Sequence, residues 1–161
     1  MAVAFDAVSS AQATAVTSIS VTHTATGSDR SAFIGVGSSG TTPNLTSTVT
    51  YGGESATGLW DTIAQTNYHC SGHQRTPPLT GAQTVTATLV GTDDEVTIGV
   101  ISLTGVHQTT PTNTVPTTAT GVSTTATANA ATSALDELVC GALYSGWQGA
   151  APGAGETERW E

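Results

Sequence analysis

In the stretch "AQTVTATLV" at 82–90, Thr84, Thr86 and Thr88 alternate with Val85, Ala87 and Leu89. A two-residue period is that of a strand with one face buried and the other wet. The stretch "AVTSISVTHT" at 15–24 repeats it, with Val16, Ser18, Ser20 and Thr22 on one face and Thr17, Ile19, Val21 and His23 on the other. About one residue in five of the whole chain is Thr, a β-branched residue that suits pleated, half-buried surfaces better than helix interiors. The expected fold class is therefore all-β.

Turn signals divide the rest of the chain. "TGSD" at 26–29 precedes the apolar run "SAFIGVG" at 31–37, and "SSGTTPN" at 38–44 reads as a loop. "TSTVTYGGES" at 46–55 is a strand meeting a Gly-Gly hairpin turn. "ATGLWDTIAQTNYHC" reads as two short strands ending near "RTPPLTG", whose adjacent prolines cannot sit inside a central strand. The acidic "GTDDE" is expected to turn between 82–90 and the longer apolar run "EVTIGVISLTGV" at 95–106. A polar loop with two prolines follows at 107–121, then the weakly alternating "VSTTATANAATS" and a buried strand over "DELVCGALYSG" at 136–146. The Ala-rich "ATANAATSALDEL" also fits a helix, although its Thr and Asn content argues for β. About eight to ten short antiparallel strands at this spacing predict a single-domain, jelly-roll-like β-sandwich over residues 1–161. A Gly/Pro-rich arm would occupy 147–161.

Charge narrows the partners. The chain has no Lys, three Arg and twelve carboxylates, for a net charge of −9. Nucleic-acid affinity comes mostly from clustered cations, so nucleic acid is not an expected partner. There is no run of about 18 apolar residues to cross a bilayer and no basic n-region ahead of an apolar h-region. The expectation is a protein made in a bacterial cytoplasm, with no membrane partner. Cys70 and Cys140 form one conceivable pair but read more naturally as small buried hydrophobes.

The stretch "NYHCSGH" at 67–73 holds two of the four histidines and one of the two cysteines. On a helix, His69 and His73 would share a face and could chelate one ion. On a strand their Cα atoms would lie about 13 Å apart, too far for one tetrahedral centre. The surrounding strands favour the second case, with the histidines toward solvent or a loop and Cys70 inward. "TDDE" offers three carboxylates without the ligand spacing of a calcium loop. No Gly-x-Ser-x-Gly elbow occurs, and His107 could act as a general base but has no assignable nucleophile. An enzyme is not expected, nor is a metal or cofactor. Asn44-Leu45-Thr46 matches a glycosylation sequon. Trp60, Tyr68, Tyr144, Trp147 and Trp160 could stack on sugar rings if exposed.

Taken in order, "GSDRSAFIGVG", "VTYGGESAT", "TPPLTGAQTVTATLVG", "VISLTGVHQTTP" and "ELVCGALYSGW…GAGETERW" resemble a family of β-sandwich proteins of tailed bacteriophages. In that family the "TERW" segment is followed by one or two further strands. The resemblance covers nearly the whole chain and implies a virion component, most directly a capsid decoration (head accessory) protein. Such a protein would bind the major capsid protein or other virion proteins as a symmetric homo-oligomer. Met1, Val3, Phe5, Trp147, Arg159 and Trp160 are the candidate interface residues, with Met1 to Phe5 or the tail around Trp160 acting as an arm added to a neighbour's sheet. The alternative is a carbohydrate-binding module of a phage tail or head fibre. It would contact a host surface glycan through Trp60, His107 and Trp147.

Overall fold

A computed structural model describes residues 2–40, 46–64, 66–112, 117–121, 137–145, 151–154 and 157–159. All regular structure in it is β, in seven strands: β1 (Ala4–Ala25), β2 (Ser31–Ser39), β3 (Thr46–Tyr51), β4 (Glu54–Ser55), β5 (Thr57–Ala64), β6 (Tyr68–Arg75) and β7 (Gly81–Thr104). Every pairing is antiparallel. The order is β4-β3-β7-β2-β6-β5, with β1 running along β7.

The two long strands organise the molecule. On one side, β7 pairs with β1 from Thr104↔Ala4 to Gly81↔Ala25. On the other, β2 takes residues 95–103 of β7 and β3 takes residues 85–89. The register with β1 jumps from Val16↔Asp93 to Ser18↔Thr88, so Thr17 alone faces β7 residues 89–92. A bulge of this kind bends and twists the pair, and Ala15 adopts a left-handed φ of 54° at the same level.

The bend folds β1 back on itself. Ser9 and His23 would be about 46 Å apart along a straight strand, yet Ser9 Oγ lies 3.0 Å from His23 Nδ1. Two half-sheets therefore face each other, β5-β6-β2 with the 95–104 half of β7 and β4-β3 with its 81–89 half. The all-β, antiparallel, sandwich-like fold expected from the alternation is the one observed.

The core lies between the halves. Ile34 and Val36 of β2 and Val96, Ile98 and Val100 of β7 meet Val49 and Tyr51 of β3, Val85, Ala87 and Leu89 of β7, and Ile19 of β1. Gly52 and Gly53, at φ 59° and 84°, make the hairpin from β3 to β4 as expected. The two short strands expected over "ATGLWDTIAQTNYHC" are also present as β5 and β6, an antiparallel pair with a turn at Thr66 and Asn67.

Two expectations are corrected. "GTDDE" does not turn the chain between two strands; it lies within β7 at the bend, with Asp93 buried. The runs on either side of it pair with the long strand β1 rather than with each other. The first half of β1, "AFDAVSSAQAT", carries no large apolar alternation, yet small Ser9, Ala11 and Ala13 turn inward while Ser10, Gln12 and Thr14 face out. Finally, residues 137–145 form no strand. They cross the outer face of β2, β6 and β7, where Tyr144 sits directly on Gly37 and Cys140 packs against Ile101, Leu103 and Val106. β2 is already paired on both sides, so a segment lying over it finds no free ladder to join. The alternating 122–133 stretch and most of the Ala-rich segment fall outside the described residues.

Candidate functional site

Side chains of β6 alternate between the two faces of its half-sheet. The pairs Ile34↔His73, Val36↔Ser71 and Ser38↔His69 place the odd β6 residues on the inner face, beside core residues of β2. His69 and His73 are therefore buried, and Cys70 belongs to the outer face, next to Tyr144. This reverses the expected orientation of "NYHCSGH", although the strand itself is as expected. Hydropathy favours Cys over His inside, but the register with β2 decides which face is inner.

Buried imidazoles need partners. His69 Nε2 lies 2.6 Å from Asp61 Oδ1 on β5, and His69 Nδ1 lies 3.4 Å from Ser38 Oγ on β2. His73 Nε2 lies 3.1 Å from Ser71 Oγ, which in turn lies 3.0 Å from Thr46 Oγ1 on β3. The last contact joins two strands that are not neighbours in the sheet, so a polar seam closes the sandwich beyond its apolar core.

Ser38, His69 and Asp61 contain the residue types of a hydrolytic triad in the reverse exposure. A nucleophilic hydroxyl must meet substrate while the carboxylate is shielded. Here Ser38 is fully buried and the Asp61 side chain is 40% exposed. No substrate carbonyl reaches Ser38 while the sheet is intact, and the arrangement serves to satisfy a buried ring.

At the surface end of this seam is a cleft of about 350 Å³ lined by Thr46, Gly58, Leu59, Trp60, Asp61 and His73. The register shift between Gly58 and Trp60 on the edge strand β5 shapes it. Trp60 packs against Gly72, where any side chain would strike the indole. Among the described residues no group of three or more His, Cys, Asp or Glu gathers as metal ligands. Nothing in the sequence marked Asp61 or Gly58, and Thr46 stood out only in a glycosylation sequon, because their meeting with His73 comes from three strands separated along the chain.

A second polar group lies where the two ends of β1 meet. Asp6 accepts hydrogen bonds from the Thr26 backbone N–H at 2.9 Å and the Ser102 hydroxyl at 2.7 Å, and from the Thr26 hydroxyl. Burial by itself would raise the Asp6 pKa, but the hydrogen bonds, with His23 nearby, bring it below the usual carboxylate value. Burial pushes the pKa of His23 down against the opposing pull of Asp6, and pushes that of His73 down against the pull of Asp61.

These shifts make stability pH-dependent. Both histidines have folded pKa values below the unfolded value of 6.5. The unfolded chain therefore takes up protons that the fold refuses, and stability present above 6.5 declines as the pH falls below it. Asp6 adds a further loss in more acid solution, as the pH drops through its lowered folded value. Urea unfolding at about pH 8 and about pH 5 should show a lower midpoint at the acid end. The double variant His23→Gln/His73→Gln should lose most of that slope; an unchanged slope would refute this assignment.

The other candidate residues are dispersed. Phe5 pairs with Leu103, Val3 packs on the cluster of Ile101, Leu103 and Val106, and the Arg159 guanidinium stands 4.0 Å above the Phe5 ring. Residues 3–5 are thus engaged within their own chain, and what β1 offers outward is its opposite edge. His107 is exposed, its Nδ1 2.8 Å from Thr110 Oγ1 and 3.1 Å from the Thr110 backbone nitrogen, so that ring nitrogen is occupied by its own loop. Met1, Trp147 and Trp160 lie outside the described residues. Cys70 and Cys140 are free thiols, and burial raises the pKa of both, that of Cys70 to about 12.

Compared with family models, with curated proteins and with solved structures, the chain gives no match.

Proposed function

We propose that this protein is a structural β module that works through subunit contacts, and that it serves in a tailed-phage virion as a capsid decoration protein. The virion assignment rests on the sequence resemblance alone. The contact mechanism rests on one observation: among the described residues β1 pairs only with β7, which leaves its other edge unpaired along 22 residues. From Ala7 to Thr22 that strand carries no charged residue or histidine. Proteins normally guard a long edge with Lys, Glu or Pro, because unpaired N–H and C=O groups invite another strand. On the two arms of β1 either side of its bulge, an edge without charged guards is suited to β-addition by a strand of a neighbouring subunit.

Lys at the outward positions Ser10 and Gln12 should abolish assembly onto capsids while leaving the unfolding midpoint unchanged. Retained assembly would remove the edge from the mechanism. Copy number in purified virions tests the location, and a handful of copies at the tail would refute the capsid assignment.

A second reading, a carbohydrate-binding module on a tail or head fibre, is favoured by the cleft that Thr46, Gly58, Asp61 and His73 line. In it, adhesion to host glycans replaces subunit contact.

A further inference from the structure

We propose that the cleft between β3 and β5 is a binding site for a neutral, hydroxyl-rich ligand, a sugar unit of a glycan, held by Asp61, His73 and Thr46 over Gly58. This deepens the carbohydrate reading by naming the site and the ligand class. It is independent of the β1 edge, since β1 and β5 lie at opposite ends of the half-sheet β1-β7-β2-β6-β5.

Three observations support the assignment. The first is the set of groups on the wall. Asp61 Oδ1 is committed to His69 Nε2, so the other carboxylate oxygen, on a side chain 40% exposed, remains an acceptor. His73 uses Nε2 toward Ser71, and its Nδ1 is bonded to no group among the described residues. Thr46 contributes a hydroxyl already oriented by Ser71. A carboxylate acceptor, an imidazole nitrogen and a hydroxyl together match vicinal hydroxyls, each of which donates and accepts.

The second observation is preorganisation. Asp61 is fixed by His69, His73 by Ser71, and Thr46 by the same Ser71, so three wall residues are oriented before a ligand arrives. Such a site loses less side-chain freedom on binding than one built from free surface groups.

The third is Gly58. Its φ is not left-handed, and a Cβ built there would meet only His73 Nδ1 and Cε1, at 3.8 and 3.9 Å. Backbone geometry therefore does not require glycine at this position. What its missing side chain does is leave open the space in front of His73 Nδ1.

The charge of the site selects within the class. With one carboxylate, no cation on the wall and a chain charge of −9, sialylated or phosphorylated sugars are repelled. A divalent ion would find a single carboxylate where such ions take several oxygen ligands.

Gly58→Leu fills the cleft without a forced backbone change, and Asp61→Asn keeps an acceptor for His69 while removing the charge. The intact chain and both variants should be applied to an array of neutral hexose, deoxyhexose and N-acetylhexosamine glycans alongside sialylated ones. The intact chain is expected to bind neutral glycans, and Gly58→Leu to weaken that binding about tenfold or more at an unchanged unfolding midpoint. Asp61→Asn is expected to weaken it in the same direction. Glycan binding that survives Gly58→Leu would overturn this site while leaving the carbohydrate reading standing. Absence of binding by the intact chain would overturn both, and preference for sialylated glycans would overturn the ligand class.

Discussion

Ile98→Ala is expected to lower unfolding stability by about 3–4 kcal/mol, through lost burial and the cavity left behind. Ile98 is 1% exposed and pairs with Val36 on one side and Ala11 on the other, so its side chain meets the core contributed by both half-sheets. Val90→Ala is the matched control. Val90 is 72% exposed at the bend of β7, and its truncation should change stability by less than about 0.5 kcal/mol. Urea unfolding followed by tryptophan fluorescence measures both. Similar losses at the two positions would mean that the halves of β7 do not enclose one core.

His69→Ala should cost about 3 kcal/mol, combining a cavity with an orphaned buried hydroxyl. Ser38 is fully buried and its hydroxyl faces His69 Nδ1, while His69 Nε2 holds Asp61. Asp61→Ala removes only the solvent-side partner and should cost about 1–2 kcal/mol. The order of the two losses is the informative result. If His69 faced solvent, as its chemistry alone suggests, its truncation would be nearly neutral and Asp61→Ala would be the costlier change. The double variant separates the shared contact from the cavity, because the Asp61 loss should vanish once His69 is gone.

The candidate cleft was the least legible part of the chain. Trp60 stood out as an aromatic, and His69 and His73 stood out by spacing, but the groups that meet at the cleft are Thr46, Gly58, Asp61 and His73. No short motif contains them. They come together because β3 and β6 approach across the sandwich through the Thr46–Ser71 contact and because β5 shifts register between Gly58 and Trp60. Residues 137–145 present the opposite problem. Their apolar run has the composition of a buried strand, but Leu138, Val139 and Leu143 remain about half exposed because the face they cross has no ladder to offer.

What the sequence determined by itself is local. Alternation of Thr with Val, Ala and Leu set the strands of 15–24 and 82–90, and Gly52-Gly53 set a hairpin, because both depend on neighbours in the chain. Tertiary structure decided the rest. It joined two expected strands into β7 through a bend at 89–92, and it turned His69 and His73 inward and Cys70 outward. Side chains alternate with a period of two, so sliding β6 by one residue against β2 would exchange those faces without changing a letter of the sequence. Pairing across the sheet, between residues some thirty positions apart, fixes which face is buried.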